Sequence, residues 1–173
     1  HGNYILHAKV NHAALYPLKL TNRDSIIINS ANITTNIVGN SLNSAIGHLH
    51  ADSVTMFTNK GNFDIANIDF SAEGDELKRT LVLKSDVLDA TIKGNIDLNT
   101  IIPYFKSLAM RYAPAIAIPI TPYKSQNFDI NLNVKSFKPI ASLIDPNLTL
   151  DDGAYLNAEF SSDNYTATFE AYL

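Results

Sequence analysis

Apolar and polar residues alternate along most of the chain, a pattern typical of β-strands with one dry face and one wet face. The first alternating stretch covers residues 4–10. Later strand-like runs lie at residues 25–28, 32–38, 44–50, 53–58, 63–72, 77–84 and 87–98, and the last three form a meander. Asn, Ser, Gly and Asp, which favour turns, separate these runs. The pattern predicts a mainly β protein.

The hydrophobic period changes from two to between three and four near residue 99. Asn99 or Thr100 is a suitable N-cap, and Arg111 and Pro114 are ordinary stop signals. These signals predict one amphipathic helix over residues 100–112. Its apolar stripe consists of Ile101, Phe105, Leu108, Ala109 and Tyr112.

Two roles are open for this helix. It either packs on the apolar face of a sheet or lies at a membrane surface in contact with lipid. Lys106 and Arg111 are its only positive charges, whereas interfacial helices are usually rich in basic residues. The charge pattern therefore favours packing on the sheet.

The chain divides into three consecutive regions of one fragment: a β region at 1–98, the helix with a proline-rich strap at 99–122, and a second β region at 123–173. The strap, residues 113–122, is apolar and contains three prolines, so we expect an extended segment that lies on apolar surface. In the second β region, alternation at 128–134 predicts a strand. A turn at 151–153 precedes a predicted hairpin of residues 155–160 and 165–173.

Composition narrows the classes of function. The 173 residues carry a formal net charge of -4, which argues against a nucleic-acid surface because phosphates require a basic patch. The chain contains no cysteine, so disulfides, thiolate metal sites and cysteine nucleophiles are excluded. No apolar run approaches the roughly 20 residues of a membrane-spanning helix. The chain begins within a strand pattern, which predicts a fragment of a longer protein.

Few residues in the sequence are candidates for catalysis or for binding a metal or cofactor. His48 and His50 lie two apart on a predicted strand and so share a face, but no third metal ligand follows at a suitable spacing. Asp151 and Asp152 resemble the start of a calcium loop that lacks its other ligands. No nucleophile elbow, phosphate loop or dinucleotide motif is present in the sequence. We expect a protein without enzymatic activity, metal or cofactor.

Three stretches resemble the TamB-like branch of the AsmA superfamily, in the form found in Bacteroidetes. They are LVLKSDVLDATIKGNIDL at 81–98, RYAP at 111–114, and FDINLNVKSFKPIASLIDPNLTLDDGAYLNAEF at 128–160. The resemblance covers nearly the whole chain and consists of strand and turn patterns. The N-terminal membrane anchor and C-terminal domain of that family are missing from it, so the chain is expected to be an internal fragment.

The resemblance implies an elongated antiparallel sheet curled into an open, U-shaped, β-taco-like trough that is apolar inside. It also implies a periplasmic location in a protein anchored in the inner membrane of a Gram-negative bacterium. The family is associated with phospholipid transport to the outer membrane and, together with a BamA-like barrel partner, with assembly of outer-membrane proteins. Exposed sheet edges in such a fragment are expected to permit self-association.

A lipid groove requires strands with one continuous apolar face. The candidate lining residues are Leu6, Val10, Leu88, Ala90, Ile92, Ile96, Leu98, Phe128, Ile130, Leu132 and Val134. We expect the helix and the strap to cover one part of this face. The alternative is an extracellular β-sandwich interaction or adhesion module, in which the same apolar faces meet in a closed core.

Overall fold

The computed structural model describes residues 2–17, 26–58, 61–75, 77–101, 103–105, 107, 124–139, 153–163 and 166–172. Its strands are β1 (Gly2–Val10), β2 (Ala13–Ala14), β3 (Ile27–Gly39), β4 (Ile46–Thr58), β5 (Gly61–Glu73), β6 (Arg79–Ser85), β7 (Leu88–Asn95), β8 (Asn127–Val134), β9 (Tyr155–Ser161) and β10 (Thr166–Tyr172). Helical residues lie at 101, 103–105 and 107, which we call α1, and at 137–139, which we call α2.

All ten strands belong to one antiparallel sheet in the order β1-β3-β4-β5-β6-β7-β8-β9-β10, with the short β2 also paired to β3. From β3 onward each strand pairs with the next strand of the chain, because most connections are short enough for hairpins. In the described part of the chain β1 and β10 are separate edges, so the sheet is open and does not close into a barrel. The predicted mainly β, antiparallel fold is confirmed.

The strand register collects the apolar residues on one side of this sheet, which we call the apolar face. Ile92 of β7, for example, lies opposite Leu81 of β6 and Ile130 of β8. Because side chains alternate along a strand, the polar neighbours of these residues point to the opposite side. The result is one apolar face and one polar face, which is the pattern expected from the alternation in sequence.

Two strand predictions were wrong in the same way. Two predicted runs share the single strand β3, which contains residues 27–28 and 32–38, and two more share β4, which contains residues 46–50 and 53–58. Register shifts on either side of Ser30 interrupt β3, and Ser53 in β4 has a φ of 54°, in the left-handed region. A bulge adds one residue and shifts the phase of the alternation while the strand continues. The alternation of apolar and polar residues is therefore interrupted at positions where the strand itself continues.

The junction between β7 and α1 differs slightly from the prediction. β7 ends at Asn95, three residues earlier than expected, because Asp97 starts a turn in which its backbone carbonyl accepts the Thr100 N–H at 3.1 Å. The Thr100 carbonyl then accepts the Tyr104 N–H at 3.0 Å, so a helix begins where predicted. Leu108, Ala109, Tyr112 and the strap lie outside the described residues.

Two apolar clusters form the core, both on the apolar face. The first joins strands β3, β4 and β5 around Ala31, Ala51, Val54 and Ile65. The second lies over strands β5–β9, where Ile101, Tyr104 and Phe105 of α1 pack against sheet residues. Ile101 and Phe105 were predicted to face the sheet and do so. Tyr104, which was not included in the predicted stripe, is 1% exposed and is the most enclosed side chain of α1 among those described.

Phe128 tests the contribution of this second cluster to stability. It is 3% exposed and its ring contacts the rings of Tyr104, Phe105 and Phe160. We expect Phe128→Ala to lower the free energy of unfolding by about 3–5 kcal/mol, because it leaves a cavity beneath α1. Urea unfolding followed by circular dichroism measures this loss.

Phe169 is the matched control, since it lies on the same face but at the edge strand and is 62% exposed. We expect Phe169→Ala to cost about 1 kcal/mol or less. Equal losses for the two variants would show that α1 does not enclose a core at Phe128.

Candidate functional site

One row of apolar side chains runs across the middle of the apolar face. It takes one residue from each of six neighbouring strands, β4 to β9, and these residues lie opposite one another in the register. All six are half-buried, so part of each side chain stays accessible. We call this set the open row: Leu49, Phe70, Leu83, Ala90, Leu132 and Leu156.

The flanking rows of the same face are more enclosed. On the side of α1, Ala72, Leu81 and Ala158 are buried. On the other side, Ala51 and Val134 are buried. The open row is therefore less enclosed than the rows on either side of it.

The dimensions and chemistry of the open row suit a long apolar ligand. Neighbouring strands lie about 4.8 Å apart, so the five steps from β4 to β9 extend over about 24 Å. The row contains only Leu, Phe and Ala side chains, which make contact without directional hydrogen bonds. A flexible hydrocarbon chain lying across the strands would contact each strand in turn.

The structure distributes the predicted groove residues over several positions. Ala90 and Leu132 belong to the open row, and Leu6, which is 52% exposed on edge strand β1, lies on the same line of the register. Half-buried residues beside the row are Leu88, Ile92 and Ile130, and Val10 packs against the first cluster. Buried or packed under α1 or at the margin are Ile96, Leu98, Phe128 and Val134.

Four residues of the open row were not identified from the sequence: Leu49, Phe70, Leu83 and Leu156. Each lies in a run that was predicted to be a strand. The missing information was the register between strands, which alternation alone does not supply. The short turns between β5, β6 and β7 were the available signal, because a hairpin loop fixes the register of its two strands.

A buried polar cluster, which we call the clasp, lies beside α1 at the end of strands β5 and β6. It consists of Asn43, Arg79, Asp97 and Gln126, all buried. The Asn43 side chain donates to the Asp97 carboxylate at 2.8 Å and accepts the Leu98 N–H at 2.8 Å. The turn between β3 and β4 is thereby joined to the segment that leads into α1, across the end of β5 and β6.

Arg79 and Gln126 complete the clasp. The Arg79 guanidinium, 1% exposed, donates to the backbone carbonyls of Asn43 and Ala45. Gln126 accepts the Asp97 N–H at 3.2 Å and donates to the Thr100 hydroxyl at 3.3 Å. This cluster was not predicted from the sequence, although Arg79 lies in phase with the apolar residues of its strand, an unusual place for an arginine.

The opposite face carries the histidines. His48 and His50 share this face, as expected from their spacing. The Nδ1 atom of His50 lies 2.6 Å from an Asp69 carboxylate oxygen, and its Nε2 atom lies 3.7 Å from an Asp52 oxygen. Within the described ranges no group of three or more His, Cys, Asp or Glu residues could hold a metal ion. Asp151 and Asp152 lie outside those ranges.

Three comparisons with known proteins were without a match. No family model, no curated protein and no solved structure matches the chain. Among the residues that the structure describes, no helix has both the length and the hydropathy needed to cross a bilayer.

The ionisation of Asp97 makes the contribution of the clasp to stability depend on pH. Burial, the largest single effect, raises the pKa of its carboxyl, but the hydrogen bonds from Asn43 and the Asn99 N–H and the Lys124 ammonium at 3.3 Å together lower the pKa by more. The net pKa lies below the ordinary value of 3.8. A carboxyl with a lowered folded-state pKa stabilises the fold above its unfolded pKa, and this contribution disappears as the pH falls through the folded pKa.

We therefore expect Asp97→Asn to lower the free energy of unfolding by about 1–3 kcal/mol at neutral pH, because hydrogen bonds to a buried charge are weakened. The difference from the unsubstituted protein should begin to shrink below about pH 4, where Asp97 takes up a proton in the unfolded chain, and should disappear as the pH falls through the lowered pKa of the folded state. Urea unfolding at a series of pH values measures both effects. A difference that stays constant down to the acid limit would contradict the role assigned to the Asp97 charge.

Proposed function

We propose that the groove shields the acyl chains of phospholipids, and that the chain is a non-enzymatic segment of a TamB-like, AsmA-type protein of the Gram-negative periplasm. The observation that carries this proposal is the open row: accessible apolar side chains from six consecutive strands of one open sheet. Soluble proteins seldom leave a continuous apolar strip accessible without a binding role for it.

The free-energy cost of moving a phospholipid through water without such a groove is large. A phospholipid with about 30 methylene groups exposes apolar surface worth on the order of 24 kcal/mol if it crosses water unprotected, at about 0.8 kcal/mol per methylene. Contact with the open row and its margins removes a large part of this cost. The groove then lowers the barrier for movement of lipid between the inner and outer membranes.

The composition of the open row fits movement along the groove better than storage at one point. Leucine, phenylalanine and alanine offer similar contacts on each strand, and no charged or hydrogen-bonding side chain belongs to the row. A deep polar site would hold the cargo at one place. Similar apolar contacts on successive strands allow a chain to advance in small steps.

The edges of the sheet support a place within a longer groove. β1 and β10 pair on one side only in the described part of the chain, so further strands can extend the sheet and its open row. The same free edges offer pairing sites for the strands of outer-membrane proteins, the second client class of this proposal, which would bring in a BamA-like barrel partner. The inner-membrane anchor belongs to the same proposal.

The alternative, a β-sandwich module with a closed core, requires two sheets that face each other. The described strands form a single sheet, and its apolar face is covered in part by α1. This arrangement favours the groove over the closed core.

Photo-crosslinking in cells tests the proposal. A photoreactive residue placed at Leu83, Leu132 or Leu156 is expected to form adducts with phospholipids, because these side chains line the open row. Mass spectrometry of the purified protein identifies the adducts. The same residue placed at Asn131, Asn133 or Asn157, on the opposite face of the same strands, serves as a matched control and should give none.

Adducts at both faces would indicate nonspecific contact with membrane. Adducts that join the open-row positions only to other parts of the protein would show that a closed core occupies the groove, and the interaction-module alternative would replace this proposal.

A further inference from the structure

The polar face of strands β8, β9 and β10 combines aromatic, amide and carboxylate side chains. The strand register places them in three neighbouring rows, each with one residue from each strand. Because side chains alternate along a strand, all of them lie on the side opposite the open row. We call this set the polar patch, and its rows are Asn133, Tyr155 and Tyr172; Asn131, Asn157 and Glu170; and Asp129, Glu159 and Thr168.

Two adjoining concavities run along the polar patch. Their volumes are about 460 and about 360 Å³, and both are lined by Asp129, Glu159 and Thr168. Ile130 and Ala158 also line the larger one. Because the side chains of these two residues belong to the apolar face, their backbone forms its floor. Depressions of this size are typical of binding sites for small molecules.

A pair of tyrosines lies one row beyond the larger concavity. Tyr155 and Tyr172 are directly opposite each other across β9 and β10, and Tyr172 is 75% exposed. The Tyr155 hydroxyl donates to the Glu170 carboxylate and accepts from the Asn157 amide, so two patch residues hold its ring in place. A tyrosine ring offers rigid apolar surface with a polar tip, which suits the C–H side of a sugar ring.

The other side chains of the patch supply both kinds of hydrogen-bonding group. Asn131 and Asn157, which lie opposite each other, each carry an amide donor and an amide acceptor. The carboxylates of Asp129 and Glu159 can accept charge-assisted hydrogen bonds from hydroxyl groups. A sugar presents hydroxyl groups, which donate and accept, around an apolar ring of C–H groups. The patch therefore matches both chemical features of a saccharide.

The stability of the fold does not account for this arrangement. Asp129 and Glu159 lie directly opposite each other, and like charges in that position destabilise a sheet. The carboxylates also repel nucleic acid, whose phosphates require basic residues. Within the described part of the chain no group of His, Cys, Asp and Glu suits a metal ion. Six of the nine patch side chains are neutral, which favours a neutral ligand over a cationic peptide.

We propose that the polar patch binds a neutral oligosaccharide. The rings of Tyr155 and Tyr172 pack against the C–H side of one sugar unit. Asn131, Asn157 and Glu159 form hydrogen bonds with the hydroxyl groups of the units that follow along the two concavities. This binding site does not rest on the proposed lipid-binding function, because it lies on the other face of the sheet.

Titration calorimetry with three neutral hexasaccharides, cellohexaose, maltohexaose and N-acetylchitohexaose, tests the proposal. The protein is expected to bind at least one of them, with an affinity that differs by less than about twofold between low and high salt, because the ligand is uncharged. Tyr155→Ala and Tyr172→Ala should each weaken this binding about tenfold, since each removes one ring contact. Tyr4→Ala is the matched control: Tyr4 is 61% exposed on the apolar face of β1, and its loss should leave the affinity unchanged.

A measurement on the unsubstituted protein guards against disturbance of the fold by the substitutions. Addition of the same saccharide should shift the backbone amide NMR signals of Asn131, Asn157 and Glu170. The signals of Thr34 and Asn36, which are exposed on the polar face of β3, should not move.

Three results would overturn the inference. The first is that none of the three saccharides binds. The second is that binding of a saccharide is unchanged by both tyrosine substitutions and shifts no patch signal, which would place the ligand elsewhere. The third is that hexalysine binds at low salt and the saccharides do not, which would make the patch a charged site for a cationic peptide. None of these results bears on lipid binding at the open row.

Discussion

The register between neighbouring strands is the constraint on which the other features of this protein depend. Side chains alternate along a strand, so a slip of one residue would move a whole apolar set to the wrong face. The apolar face is preserved because the phase of the alternation changes at the same place in three neighbouring strands. Ala31 and Ile28 in β3, Ala51 and Val54 in β4, and Ile65 and Ile68 in β5 are each three apart, yet all six belong to one apolar cluster. The strands change phase together.

In β5 the backbone at this phase change is stabilised by a side chain from a neighbouring turn. The two adjacent N–H groups of Ala66 and Asn67 donate to the Asp86 carboxylate at 2.7 and 3.0 Å, which provides partners for donors outside the regular ladder. Burial raises the pKa of Asp86, but these hydrogen bonds, together with the backbone N–H of Asp86 and the charge of Lys135, lower it by more, so the net pKa is below the ordinary value. A turn residue between β6 and β7 thus fixes the phase of β5.

The apolar face of this single sheet is larger than the area that the described helices cover. In the described part of the chain, α1 and the clasp enclose one margin, and the first cluster encloses surface on the β3–β5 side. The open row is the remainder. The same feature that makes the fold unusual for a closed domain, an apolar strip without a second sheet, gives the proposed groove its bottom.

The sequence predicted the parts of this structure that depend on local pattern. Alternation gave the strands, and the change of period at residue 99 gave the helix and the side it turns to the sheet. Bulges at Ser30 and Ser53 were not predictable, because an interrupted alternation looks the same as the end of a strand. The clasp was missed because Asn43 and Asp97 are 54 residues apart and meet only after the strands have paired.

The central claim is that the open row holds hydrocarbon, and extraction of bound lipid tests it most directly. The protein is purified from cells unsubstituted, with Leu83, Leu132 and Leu156 all changed to Asn, and, as a matched variant, with Val82→Asn on the opposite face of β6. Organic extracts are then analysed by mass spectrometry. The account predicts phospholipid with the unsubstituted protein and with Val82→Asn, and its loss from the folded triple variant. Equal phospholipid in all three, or none in any, would contradict it.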